Sequence, residues 1–294
     1  MKKIFLTGGS GFIGKNILEK LSDKYLFFAP SSNELNLQNA EEVAAYIRVH
    51  KFDLVIHSAK YGGTRKVENA AQTAEYNTRM FFNIVRNKAF FKRMIFLGSG
   101  GEYDHYARSI VRIREEEFDR FVPQDSFGFY KYLCSKYIEN VDNIVNLRVF
   151  GIFGKYEDYD LRFISNAICK NILGLPITIR QNVFFDYLYI DDFVKILEYF
   201  IDNSVREKFY NMGTGTSIDL ETIAKLINKI SKNPSEIIIN TEGLNNEYTC
   251  DNSRLLSEIS DLTFANFEDS IRDLYNWYKS KKHILRRESF LVDI

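Results

Sequence analysis

The segment Thr7-Gly8-Gly9-Ser10-Gly11-Phe12-Ile13-Gly14 limits what this chain can fold into more than any other stretch. It follows the apolar run Ile4-Phe5-Leu6 and opens a helix read over Asn16 to Leu21. Gly9, Gly11 and Gly14 satisfy a GxGxxG spacing, and Gly8, Gly11 and Gly14 satisfy GxxGxxG. Glycine at a strand-to-helix turn lets the backbone bend tightly and approach a pyrophosphate, and lets helix and strand pack closely. The helix N-terminus then offers free N–H groups and a positive dipole end to phosphates. At the head of an alternating α/β pattern, this turn predicts a bound dinucleotide.

The alternation continues downstream. Tyr25 to Ala29, Asp53 to His57, Arg93 to Leu97 and Ile144 to Arg148 read as further apolar strands separated by helices. Such runs predict a doubly wound α/β domain, a parallel sheet covered on both faces. After about residue 154 the rhythm loosens, and Ser217 to Ile230 and Phe267 to Lys281 read as amphipathic helices. The expected division is a dinucleotide-binding domain of residues 1–154 plus about 183–213. A substrate lobe is expected from about 155–182 plus 214–294.

Lys plus Arg and Asp plus Glu both number 39, and that balance argues against a nucleic-acid partner. No run approaches the roughly 20 apolar residues of a membrane span, and Met1-Lys2-Lys3 leads straight into the first strand. Cys134, Cys169 and Cys250 are odd in number and share no CxxC spacing, so neither a disulfide framework nor a metal site is expected. These features predict a cytoplasmic protein with no membrane partner. At the end of the second strand, Ala29-Pro30-Ser31-Ser32-Asn33 lacks the carboxylate that usually holds the ribose 2′-hydroxyl of NAD. Glu34 reads as lying several residues past that strand end. Ser31 and Ser32 are therefore expected to receive a 2′-phosphate, which favours NADP(H) and leaves NAD(H) possible.

Several further segments join this pattern. They are Glu34-Leu35-Asn36-Leu37, His57-Ser58-Ala59-Lys60-Tyr61-Gly62-Gly63, Asn77, Leu97-Gly98-Ser99, Leu147 to Gly151, Phe185 to Asp192, Asn211-Met212-Gly213 and Trp277-Tyr278. Together they resemble the extended short-chain dehydrogenase/reductases that act on nucleotide sugars, the NAD-dependent epimerase/dehydratase family. Within it the likeness is greatest to the GDP-L-fucose synthase-like 4-keto reductases, and it covers nearly the whole chain. The resemblance implies a Rossmann-type sheet, a smaller, mostly C-terminal substrate lobe, and a homodimer. It assigns to the dinucleotide Gly8, Gly11, Phe12, Ile13, Gly14, Ser31, Ser32, Asn36, Leu37, Ser58, Ala59, Lys60, Asn77, Lys131 and Phe150.

In that family a Ser hydrogen-bonds the sugar carbonyl and a Tyr protonates its oxygen as hydride arrives. A Lys lowers the Tyr pKa and holds the nicotinamide ribose. By resemblance Ser99 and Lys131 are two of the three, but Phe127 stands where the Tyr belongs. The chain thus reads as a Tyr→Phe variant at position 127, its activity impaired. A second register, Tyr132 with Lys136, has the same i,i+4 spacing but lies five residues deeper. Tyr130 reaches the Phe127 face only by rearrangement.

The reaction class follows from what surrounds Ser99. Gly100-Gly101 stands where dehydratases carry Asp-Glu, with Glu102 one place late. No Cys follows Ser99 and no His lies in Phe150 to Phe163, so epimerisation of the fucose-synthase kind is not expected. The leading expectation is an NADP(H)-dependent C4-keto reductase of a nucleotide-linked 4-keto-6-deoxy sugar, in deoxysugar and surface polysaccharide synthesis. A C4-epimerase or 4-dehydrogenase with bound NAD, or an inactive nucleotide-sugar-binding homologue, remain alternatives. Substrate contacts are expected from Gly62, Gly63, Gly100, Tyr103, Arg162, Asn166 and Arg254, with Lys155 as a further cation. GDP-sugars are favoured over dTDP- or CDP-sugars. His57 reads as structural and His105 as a loop residue.

Overall fold

The computed structural model describes residues 1–62 and 70–290. Six strands form one parallel sheet in the order Leu26–Phe28, Lys3–Thr7, Phe52–His57, Phe91–Ser99, Ile144–Val149, Phe209–Met212. Because successive strand residues face opposite sides, the apolar runs fill both faces. Phe5, Val55, Met94 and Phe96 join one core with helices Ala40–His50, Ala70–Val85 and Ser126–Ile138. Ile4, Leu6, Leu54, Ile56, Ile95 and Leu97 join the other with helices Phe12–Leu21 and Ile190–Asp202. The sheet is doubly wound, as the alternation predicts. Strand order reverses between Lys3–Thr7 and Phe52–His57, and beyond their carboxyl ends lies the crevice where such sheets bind ligands.

A second sheet runs Ser217–Asp219, Phe184–Tyr189, Tyr248–Cys250, Ile110–Ile113, with Gly151–Phe153 also paired to Phe184–Tyr189. A two-stranded parallel pair joins Ile177–Asn182 to Ile237–Leu244. The expected boundary near 183 needs correction, because Phe184–Tyr189 belongs to this second sheet. The chain rejoins the first sheet's layers at helix Ile190–Asp202 and supplies its edge strand at Phe209–Met212. Ile110–Ile113 leaves the first sheet's region in the same way, because Tyr248 and Cys250 offer it a parallel partner. Ser217–Asp219 is a strand, not the first turn of the helix expected there, and Leu220–Ser231 is the helix, capped by the Asp219 carboxylate.

The larger core is continuous. Ile4 and Leu6 of the sheet share it with Ile177, Ile223, Ile271 and Leu274 of the lobe, all buried. Among the described residues no helix is long and apolar enough to cross a membrane.

Candidate active site

The Gly-rich turn owes its shape to missing side chains. Gly8 takes φ +74°, where a Cβ would also come within 2.8 Å of the Ala59 backbone. A Cβ on Gly14 would meet the Gly8 carbonyl oxygen at 2.2 Å, so the helix starts this close to the strand only because Gly14 has none. Gly11 caps helix Phe12–Leu21 without a side-chain hydrogen bond and no acid lies in its first turn. Its first N–H groups are therefore left to an anion. Phe12 and Ile13 pack against the larger core behind the turn. This cradle fits a pyrophosphate.

The facing wall is tied to it by Thr7. The Thr7 hydroxyl oxygen accepts the Ser58 and Ala59 N–H groups at 3.2 and 3.1 Å, which leaves its proton for His57 Nδ1 at 2.7 Å. His57 is thus an acceptor at Nδ1, and burial lowers its pKa to about 3, followed by the Lys131 charge. It is structural, as the sequence suggests. Asn77, expected at the dinucleotide, is engaged within the chain. Its Oδ1 accepts Tyr61 N–H at 2.8 Å, and its Nδ2 donates to the Tyr61 and Thr73 carbonyls at 2.7 and 2.6 Å. It holds the backbone of the loop that carries Lys60 and Gly62. Gly63 lies outside the described residues.

Past the second strand, Leu26–Phe28, the chain makes a local turn. The Glu34 carboxylate turns back to accept the Ser31 N–H at 2.7 Å, with the Ser31 hydroxyl as a second partner. Glu34 thus lies past the strand end at Phe28, as the sequence suggests, and its carboxylate engages Ser31, while Ser32 is exposed. Asn36 folds into a local turn in which its Oδ1 accepts Gln38 N–H at 3.0 Å. The Leu37 carbonyl accepts Asn83 Nδ2 at 3.0 Å.

The three residues aligned by resemblance converge. Ser99 ends strand Phe91–Ser99, and its Oγ accepts Gly101 N–H at 3.1 Å. Phe127 and Lys131 lie on helix Ser126–Ile138, whose N-terminal turn is fixed by the Asp125 carboxylate accepting Phe127 and Gly128 N–H. The Phe127 ring edge lies against Gly101. Lys131 is buried, donates to the Leu97 carbonyl, and stands 4.5 Å from the Phe96 ring centroid and 5.9 Å from that of Phe127. Burial lowers its ammonium to about 8. Tyr132 and Lys136 instead both bond Asp119 at the surface, so that register is structural. Tyr130 is buried beneath the sheet and is not presented to the cleft.

One neighbour of Ser99, Tyr248, bears no warning in the sequence. The Tyr248 hydroxyl hydrogen-bonds the Ser99 side chain, and burial raises its pKa. It enters from the second sheet, 149 positions away, and packs on Phe150 at 4.9 Å between ring centroids. Gly100 has no Cβ because one would fall 2.5 Å from this hydroxyl. Beneath Ser99, buried Glu102 accepts Arg148 Nε at 2.7 Å, Ser135 Oγ at 2.6 Å and Ser99 N–H at 3.1 Å. Its oxygens are occupied, so Glu102 is not placed as a base.

Three residues expected at the substrate have partners within the chain. Tyr103 is buried, accepts Arg148 Nη1 at 2.9 Å and donates to Asn211 Oδ1 at 2.8 Å. Arg254 is held by Glu116 and by the Phe209 carbonyl at 3.1 Å, because a chain return brings those acids beside it. Asn166 Nδ2 points at the Tyr159 carbonyl, 3.1 Å away, and steadies that loop. Lys155 pairs with Glu19 at 3.3 Å. Arg162 is different. It is exposed at the start of helix Phe163–Ile172, and its charge, after burial, helps lower Lys60 to about 8. Lys60 is open to solvent, yet the cleft walls surround it, with its Nζ 5.5 Å from the Phe127 ring centroid. Buried Glu157, near Arg162, accepts the Ser165 hydroxyl at 2.6 Å and is pushed up to about 8 by burial. His105, in a turn, lies tilted against Tyr248 at 4.5 Å between ring centroids and is lowered to about 4 by burial. Among the described residues no cluster of three or more His, Cys, Asp or Glu can hold a metal ion.

Residues 4–213 match the family model described as NAD dependent epimerase/dehydratase family. The chain is 25% identical over 282 residues to an ADP-L-glycero-D-manno-heptose-6-epimerase of Brachyspira hyodysenteriae, covering 83% of this chain and 86% of that protein. It is 26% identical over 253 residues to a GDP-L-colitose synthase of Yersinia pseudotuberculosis, covering 78% and 82%. Among solved structures, a GDP-mannoheptose C4 reductase of Campylobacter jejuni with NADP bound superposes with a TM-score of 0.82 at 21% identity, covering 95% and 98%.

Proposed function

This chain belongs to the NAD dependent epimerase/dehydratase family, and from that premise we propose that it is an NADP(H)-dependent C4-keto reductase of a nucleotide-linked 4-keto-6-deoxy sugar. The observation that carries the reading is the meeting of Ser99, Phe127 and Lys131 at the carboxyl edge of the sheet, beside the Gly-rich cradle. Ser99 offers a hydroxyl to the sugar carbonyl, and Tyr248 orients it. Lys131, held by Leu97, presents its charge under the Phe127 ring. A dinucleotide held in the Gly-rich cradle would supply the hydride. Glu102 is consumed by Arg148, which speaks against elimination of water. Phe127 keeps the ring of the family's Tyr without its acid, so we read it as a Tyr→Phe replacement that slows the reaction.

NADP(H) accords with the cofactor in the Campylobacter reductase, whose name also supports a GDP-sugar over dTDP- or CDP-sugars. One observation favours a second reading, a C4-epimerase with bound NAD: the Glu34 carboxylate at Ser31, where NAD sites hold the 2′-hydroxyl. For quaternary structure we propose a homodimer through helices Ala70–Val85 and Ser126–Ile138, which expose Phe82 and Phe129 to solvent.

The test follows NADPH absorbance for the chain and for Phe127→Tyr over GDP-, dTDP- and CDP-linked 4-keto-6-deoxy sugars. A general acid is worth about 10²–10⁴ in rate, so Phe127→Tyr is expected to raise turnover about 100-fold or more on one substrate. No NADPH oxidation by either form on any of them overturns the reductase reading.

A further inference from the structure

If this chain reduces a carbonyl, the phenol that delivers the proton in the family is missing, and the Ser99 hydroxyl, which holds the carbonyl oxygen, is too weak an acid to replace it. Phe127 has no hydroxyl, and Lys131 is tied to the Leu97 carbonyl through one of its three N–H groups. We propose that Lys60 protonates the substrate oxygen in this chain, replacing the phenol that Phe127 lacks. The inference rests on the reductase reading above.

Four observations place Lys60 for this role. Its Nζ stands 5.5 Å from the centroid of the ring that carries the acid in the family, close to the 5.9 Å of Lys131. Its side chain is exposed. Its backbone is anchored on both sides. The Ala59 N–H is held by Thr7, and both backbone groups of Tyr61 are held by Asn77. Finally, its surroundings are cationic on balance. Burial in the cleft is the largest cause of its depressed pKa, about 8, then Arg162 lowers it further and Asp158 raises it. Lys131, on the facing helix, adds a second positive charge. An ammonium near 8 is charged at neutral pH and releases its proton more readily than an ordinary lysine at about 10.4. The other hydroxyl at hand, Tyr248, is moved the opposite way by burial and is bonded to Ser99.

The step balances as follows. An N–H bond of the Lys60 ammonium breaks and its electron pair stays on Nζ. The proton forms an O–H bond with the substrate carbonyl oxygen, while the carbon accepts hydride from the reduced nicotinamide dinucleotide. The carbonyl becomes a secondary alcohol, the dinucleotide is oxidised, and the neutral amine takes a proton from water when product leaves.

The decisive experiment is kcat against pH for the chain as it stands, with NADPH and whichever 4-keto sugar the panel identifies. Because the acid must be protonated, the rate is expected to be full below about pH 7 and to fall as pH rises through 8. Lys60→Arg keeps the cation but withholds the proton. It is expected to lower kcat about tenfold or more and to remove that limb. The loss is expected to be markedly smaller when Phe127→Tyr is also present. A nitrogen-detected NMR titration of Lys60 in the free protein should show a midpoint near 8. Unchanged kcat and limb in Lys60→Arg, or transfer of both effects to Tyr248→Phe, overturns the proposal. If the chain is inactive while Phe127→Tyr turns over, Lys60 fails and the reductase reading stands. If neither form oxidises NADPH, both fail.

Discussion

At its dinucleotide end the cleft is shaped by backbone, and at its proton-transfer end by side chains. The turn from Gly8 to Gly14 works through absent Cβ atoms and unpaired N–H groups. Ser99, Phe127, Lys131 and Lys60 work through hydroxyl, ring and ammonium groups held on three separate segments. At Gly8 and Gly14 the first kind of site tolerates no side chain, because a Cβ there collides with main chain. The second kind can lose a functional atom and keep its shape. Phe127 still packs against Tyr130 at 5.4 Å between centroids, and the helix beneath it is intact. A fold can therefore retain its cofactor end while the chemistry opposite is reassigned.

The strongest challenge to this contrast is at Gly14. Gly14→Val should abolish dinucleotide binding, with Kd raised at least about 100-fold in fluorescence titration, since even a Cβ falls 2.2 Å from the Gly8 carbonyl. Unaltered binding would show that the cradle lies elsewhere. Next comes the support beneath Ser99. Glu102→Gln leaves Arg148 charged and buried, and breaking such a pair costs about 3–5 kcal/mol. Urea unfolding should reveal most of that, and a loss below about 1 kcal/mol would mean Ser99 rests on something other than this pair.

A smaller effect separates the two ends by pH. Glu157 holds its proton to about 8 in the folded chain, against 4.5 for its ordinary value. Folded protein thus binds the proton more tightly across that window. Its contribution is fully present below about 4.5 and is lost as pH rises toward 8. Glu157→Gln should flatten the decline of Tm over this range by a few degrees, roughly 2–4 °C. The smallest effect is expected at Arg254, which is bound to Glu116 and Phe209. Arg254→Lys should leave the KM for nucleotide sugar within about twofold, whereas Arg162→Lys should raise it several-fold, because Arg's planar fork suits phosphate better. The reverse order would restore Arg254 to the site.

What the sequence disclosed follows the same line. The sheet is legible because continuous apolar runs need two covered faces, and the cradle because glycine spacing records backbone geometry directly. Ser99 and Lys131 are found by resemblance at fixed distances from those landmarks. Tyr248 is not, because its approach depends on a three-residue strand pairing with Ile110–Ile113 far back in the chain. Glu34 is placed past the strand by position, but position does not reveal the turn that folds its carboxylate onto Ser31. Tyr103, Asn77 and Arg254 are polar residues near the right places whose partners come from distant segments. No spacing rule reveals that their hydrogen bonds are already satisfied.

The continuous core beneath sheet and lobe has a mechanical consequence. Ile4 of the first strand and Leu274 of a late helix lie in one dry interior, so the two halves cannot swing apart as hinged bodies without exposing it. Access to the cleft then falls to its rim, to side chains such as Arg162 and Lys60 and the segments that carry them. A ligand gripping the Gly-rich turn should raise the melting of the far lobe as much as that of the sheet, in a single cooperative transition.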